Sequence, residues 1–98
     1  MLRHDIRLAI SPRVGEWNGE KDVGHALRGG MNSLGQWRVL PVMANRQPGA
    51  AGYLRRPGET AFFPFVLSVL RCEGGQLTEI AAFEQPSMFT AFGLPASL

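Results

Sequence analysis

At 98 residues the chain is the size of one domain, long enough to bury a core and too short to hold two. A hydrophobic fraction of 45% against 18% charged residues excludes a natively disordered chain. The formal charge is +2 and the arginines are scattered from Arg3 to Arg71, so the sequence shows no cationic block of the kind that tracks phosphates, and direct nucleic-acid binding is not expected.

Residues 4–10 alternate, with Ile6, Leu8 and Ile10 on one face and Asp5, Arg7 and Ala9 on the other, which predicts a first strand that Ser11-Pro12 stops. After a short Glu16-Trp17-Asn18-Gly19 segment, Val23, Ala26, Leu27, Gly30 and Met31 recur at helical spacing. Lys21, Asp22, His25 and Arg28 take the opposite face, which predicts one short helix over 20–31. Asn18 is the expected N-cap, and Glu20 and Asp22 suit the positive end of the helix dipole.

From Gln36 onward the period is two, and strands are predicted over 36–45, 50–56, 61–72 and 76–83. Asn45-Arg46-Gln47-Pro48 offers one reversal, Pro57-Gly58 fits the central pair of a type II turn, and Gly74-Gly75 supplies the positive φ angles of a tight hairpin. Consecutive hairpins imply an antiparallel sheet.

The 61–72 strand is apolar on both faces. Phe63, Phe65, Leu67 and Val69 fall on one side, Phe62, Val66 and Leu70 on the other, so both sides must be covered. One short helix covers part of one face. The other needs the C-terminal segment, a second subunit or further chain, and homodimerisation is expected. Residues 86–95 form a strap anchored by Met88, Phe89 and Phe92; with Phe62 and Val66 these are the expected interface residues.

The one cysteine, Cys72, cannot close an intrachain disulfide and reads as a small buried residue at a strand end. The amino terminus has no signal-like apolar segment, and the nearly apolar run from Ala61 to Leu70 is too short for a membrane span. A cytoplasmic protein without membrane contact is expected.

Several segments carry a family resemblance. They are Trp37-Arg38-Val39-Leu40-Pro41-Val42-Met43-Ala44-Asn45-Arg46-Gln47-Pro48, the following apolar strand with Pro64-Phe65, the hairpin Gly74-Gly75-Gln76-Leu77-Thr78-Glu79-Ile80-Ala81-Ala82-Phe83, and the terminal Phe92-Gly93-Leu94-Pro95. From about Leu2 onward the chain resembles the C-terminal SnoaL-like domain attached to certain bacterial extracytoplasmic-function sigma factors. The resemblance implies an α+β fold: a cone-shaped, curved antiparallel sheet with a short helix, the cystatin-like fold shared with nuclear transport factor 2, ketosteroid isomerase and polyketide cyclases. Such domains usually begin with helices that close the wide end of the cone. Here the chain starts almost at its first strand, so an open or partner-closed cone is expected. The sigma regions are absent from these residues, which points to an accessory or regulatory part, docking to a sigma factor or RNA polymerase or to a second copy.

Cone-fold enzymes place a carboxylate or His in a buried pocket opposite a group that hydrogen-bonds a developing oxyanion. The chain offers Asp5, Glu16, His25, Tyr53, Glu79 and Glu84 as parts, with Glu79 and Tyr53 as the catalytic candidates. Glu79 and Glu84 also fit a solvated strand face or a cross-strand pair with Arg, and His25 falls on the polar side of its helix. No pair has a spacing that demands catalysis. The favoured reading is therefore a non-catalytic module for protein interaction or small-ligand sensing, with an isomerase, polyketide cyclase or epoxide hydrolase of the same fold as the alternative. A pocket for a small hydrophobic ligand is expected from Trp37, Arg38, Asn45, Tyr53 and Glu79. Two isolated histidines and one cysteine give no metal-ligand spacing, and the glycine pairs read as a helix end and a turn, so neither metal nor cofactor is expected.

Overall fold

The computed structural model describes residues 2–11, 15–44 and 46–98. Strand β1 (Leu2–Ser11) buries Ile6 and Leu8 almost completely and leaves Asp5 and Arg7 exposed, as its alternation requires. Pro12 lies outside the described residues. A strand that alternation does not reveal follows: β2 (Gly15–Asn18) is only four residues long, with Trp17 as its one large apolar side chain, and it pairs antiparallel with β1, Trp17 opposite Leu8.

Helix α1 (Glu20–Ser33) carries Glu20 and Asp22 in its first turn and turns Val23, Ala26 and Leu27 toward the sheet. The side chains of Gly30 and Met31 lie outside the described residues. Its N-cap is Gly19, not Asn18. Asn18 is still paired in β2, opposite Arg7, and Gly19 makes the turn at φ 92° while its amide donates to the Ile6 carbonyl at 2.7 Å.

Strands β3 (Gln36–Ala44) and β4 (Gln47–Arg55) form a hairpin closed by a two-residue loop, in which Arg46 adopts φ 65°. Strand β4 thus begins earlier than residue 50. Pro48 fits because it faces Met43 of β3 before the ladder to the next strand starts at Gly49. At the far end Gly58 (φ 89°) and a 3.0 Å bond from the Glu59 amide to the Arg56 carbonyl make the turn at Pro57-Gly58. Strands β5 (Phe63–Glu73) and β6 (Gln76–Phe83) close through Gly74 and Gly75, at φ 57° and 78°. A short helix α2 (Ser87–Ala91) and the chain to Leu98 complete the described structure.

The strands form one six-stranded sheet in the order β2-β1-β6-β5-β4-β3. Every neighbouring pair is antiparallel except β1 and β6, which run parallel and bring the first strand beside the last.

Each face has its own core. On the helix face α1 packs over Ile6, Leu8, Ile80 and Ala82, with Val66 and Leu70 beside them. On the other, the tail face, Phe89 of α2 packs over Ala51, Tyr53 and Leu67, flanked by Leu40, Phe62 and Leu98. The C-terminal segment therefore takes up the second face over β4 and β5. The tail is tied down by two 2.9 Å backbone bonds exchanged between Leu98 and Phe62, and by a 2.9 Å bond from the Leu94 amide to the Phe89 carbonyl.

A β-bulge corrects the simple alternation expected of residues 61–72. Gly52 faces Val66 but Tyr53 faces Pro64, so Phe65 is an extra residue and the parity changes there. Phe62 lies on the tail face and Val66 on the helix face, and the two cannot share one interface. Phe89, expected at an interface, is 1% exposed and belongs to the core, whereas Phe92 is 39% exposed and Met88 is half-buried. Cys72 is exposed, not buried: it follows a second register shift at Arg71 and sits next to the hairpin tip, beyond the reach of either helix.

Candidate functional site

Between α1 and the helix face lies a cavity of about 410 Å³. Ala26 and Leu27 of α1 form one wall, and Leu8, Ile10, Ile80 and Ala82 form the floor under the helix. Beyond them β4 contributes Ala50 and Gly52, and β3 contributes Trp37 and Val39. The small residues on β4 give the cavity its depth. A Cβ on Gly52 would meet Val66 Cγ1 at 3.0 Å and a Trp37 ring carbon at 3.5 Å.

Both tryptophans of the chain line this space, Trp17 from β2 and Trp37 from β3, at opposite ends of the strand order. Among the described residues the lining is otherwise aliphatic, with polar side chains only at Ser68 and at Glu84 just after β6. The indole nitrogen of Trp37 is buried away from the cavity and has no hydrogen-bond acceptor, the one buried side-chain N or O so placed among the described residues. A buried donor without an acceptor costs about 1–3 kcal/mol. The Trp37 ring is held edge-on to Phe65, centroids 5.5 Å apart at 74°, so the bulged residue orients the indole.

Of the described residues expected to form a ligand site, only Trp37 lines the cavity. Arg38 is the next residue on the same strand and so points to the tail face, where its guanidinium lies 5.7 Å from the centroid of Phe62. Tyr53 pairs with Arg38 and shares that face. It is fully buried beneath Phe89, edge-on at 5.2 Å and 86°, and its hydroxyl donates to the Pro95 carbonyl at 2.7 Å. Burial raises its pKa above the ordinary tyrosine value. Tyr53 is a core residue that fastens the tail and cannot serve as an oxyanion donor in the cavity. Asn45 lies outside the described residues.

Glu79 also faces away from the cavity. It lies 3.7 Å from Arg7 and 4.0 Å from Arg71 as ion pairs, while Arg7 reaches Glu16 at 3.1 Å. The result is a ladder of alternating charge across β2, β1, β6 and β5, half-exposed throughout. His25 is exposed on α1, and Asp5 and Glu16 are exposed on β1 and β2. Asp5 is held below the usual carboxylate range by its hydrogen bond from Arg3. Glu84 is the one ionisable side chain among the described residues of the cavity lining.

The cavity residues missed by motif reading are legible from parity once one is known. With Trp37 inside, Val39 is inside as well, and the register sets Gly52 opposite Val39 and Ala50 opposite Pro41. No group of three or more His, Cys, Asp or Glu side chains that could hold a metal occurs among the described residues. No helix among them is long and apolar enough to cross a membrane.

A curved sheet with one packed helix and an apolar cavity between them is the ketosteroid isomerase-like fold, the class that includes SnoaL-like domains, and this chain has it. A hypothetical protein of that fold from Catenulispora acidiphila DSM 44928, solved in complex with trimethylamine, superposes with a TM-score of 0.63 over 97% of this chain and 78% of its own, at 16% identity. A phenazine biosynthesis-related protein from Pseudomonas aeruginosa superposes with a TM-score of 0.54 over 96% of this chain and 71% of its own, at 10% identity.

In sequence the chain is homologous to the ECF RNA polymerase sigma factor SigG of Mycobacterium tuberculosis. It is 38% identical over 66 residues, 67% of this chain, in strains CDC 1551 and H37Rv alike. The chain spans 17% of the length of that sigma factor. No protein-family model matches it.

Proposed function

We propose that this chain is a non-catalytic accessory domain of the sigma-factor type, acting in transcription initiation by binding a small, predominantly apolar ligand in the helix-face cavity. The observation that carries the reading is the lining itself. Aliphatic and indole surface bounds about 410 Å³, and among the described residues Ser68 and Glu84 supply its only polar side chains besides the tryptophans. The similarity to SigG supports the transcriptional setting, and the complex of one structural relative with trimethylamine supports a small-molecule role. In this reading the domain works in the cytoplasm, beside a sigma factor and RNA polymerase, as a homodimer or docked to them, and ligand occupancy alters how it docks.

Because Trp17 and Trp37 are the two tryptophans of the chain, intrinsic fluorescence reports on the cavity alone. Titration with neutral cyclic ketones gives a saturable change in the wild type and none in a Gly52→Val variant, with the ketones recovered unchanged. Equal titrations in both proteins would remove the cavity from the account.

The position of Glu84 in the lining favours one second reading, a proton-transfer enzyme in which Glu84 is the base. It requires turnover that a Glu84→Gln variant loses without losing ligand binding.

A further inference from the structure

Six of the arginines fall into two groups. Arg3, Arg7 and Arg71 are ion-paired with Asp5, Glu16, Glu73 and Glu79 on the β2, β1, β6 and β5 side of the sheet. At the opposite side Arg38, Arg55 and Arg56 have no ion pair among the described residues. They lie instead on aromatic rings: Arg38 and Arg55 at 5.7 and 5.3 Å from the centroid of Phe62, and Arg56 at 5.5 Å from that of Phe65. Arg55 is further oriented by a hydrogen bond to Gln36. The nearby carboxylate, Glu59, accepts the backbone amide of Arg56 at 2.7 Å. Two guanidinium groups on one ring repel each other, and neither is neutralised by an ion pair among the described residues, which favours an added anion.

This cationic corner borders an open strand. β3 is the last strand of the sheet, nine residues long. Pro41 has no N–H to give to β4, so its position is one whose amide faces away from the sheet. By the alternation of an antiparallel ladder Trp37, Val39 and Met43 present their peptide groups outward too. Val39 and Met43 are also 52% and 68% exposed on the helix face. Apart from Pro41 and Arg38 the strand has none of the usual protection against pairing.

We infer that the β3 edge is a docking site for an extended acidic segment of a protein partner, which adds as a further strand with glutamate or aspartate side chains over Arg38 and Arg55 and apolar side chains against Val39 and Met43. Three cations at one corner are too few to track a nucleic-acid backbone, and outward peptide groups beside exposed Val and Met side chains match a peptide, not a phosphate chain. The site spans the edge with its arginines on the tail face, and it borders the cavity at Val39.

The test is an NMR titration of the labelled domain with a short peptide of alternating valine and glutamate, with the valine–lysine analogue and an oligothymidylate as comparisons. The valine–glutamate peptide shifts the amides of Trp37, Val39 and Met43 in a saturable, salt-sensitive way. Its affinity falls on the order of tenfold or more in the Arg38→Gln/Arg55→Gln variant. The lysine analogue has no such effect. Absence of saturable shifts at millimolar peptide, shifts centred elsewhere, unchanged affinity in the variant, or tighter binding of the oligothymidylate than of the peptide would each overturn the inference.

Discussion

The Tyr53 hydroxyl donates to the Pro95 carbonyl at 2.7 Å, joining a fully buried residue of β4 to the C-terminal tail. The tail covers apolar surface of β4 and β5 that the first helix cannot reach, so this bond helps decide whether the second face stays closed. Buried surroundings favour the neutral phenol and raise its pKa. Native chains therefore hold the proton more tightly than unfolded ones. The contribution is fully present below the ordinary tyrosine value of about 10 and is lost as pH rises above it. Since Tyr53 is the one tyrosine, its tyrosinate absorbance should titrate above the ordinary value in native protein. The urea midpoint should fall more steeply between about pH 9 and pH 11 in the wild type than in Tyr53→Phe.

Phe89 is the anchor of α2, 1% exposed and edge-on to Tyr53. Truncation to Ala removes a buried ring and leaves a cavity, at a cost of about 3–5 kcal/mol by chemical denaturation. Phe92, 39% exposed, should cost under about 1 kcal/mol when changed to Ala. Similar losses at both positions would mean that α2 does not sit as described.

Glu79 belongs to an exposed charge ladder and not to the cavity. Exposed pairs are worth about 0–1 kcal/mol, so Glu79→Gln should change stability by no more than that, and less at high salt. Ligand titrations followed by tryptophan fluorescence should be the same as in the wild type. A selective loss of binding would return Glu79 to the site.

Gly52 is placed so that any side chain enters the cavity beside Val66 and Trp37. Gly52→Val should be overpacked by about 1–3 kcal/mol and still fold, with reduced cavity volume. Gly52→Ala, whose Cβ needs Val66 to yield by a few tenths of an ångström, should fall between the two in ligand affinity.

The order of elements, with one helix ahead of a run of hairpins, was legible because period and turn chemistry agree: Pro57-Gly58 and Gly74-Gly75 each close the turn their φ angles suit. β2 was not, since four residues with one large apolar side chain carry no period. The parallel pairing of β1 with β6 joins the two ends of the chain, a relationship no local pattern encodes. The site was the least legible part. Trp37 and Arg38, adjacent on one strand, cannot both face one cavity, and the extra residue at Phe65 separates Phe62 from Val66. Function-bearing residue types drew attention to Tyr53 and Glu79, whereas the cavity is built from glycine, alanine and aliphatic positions that no motif marks.

The most direct test of the account is the indole N–H resonance of Trp37, followed by NMR while a neutral cyclic ketone is added. Because the Trp37 ring lines the cavity, its resonance should shift in a saturable manner, with the ketone unchanged at the end and no movement in Gly52→Val. An indole resonance that stays fixed at saturating ketone, or a ketone consumed as the signal moves, would contradict a non-catalytic ligand-binding domain.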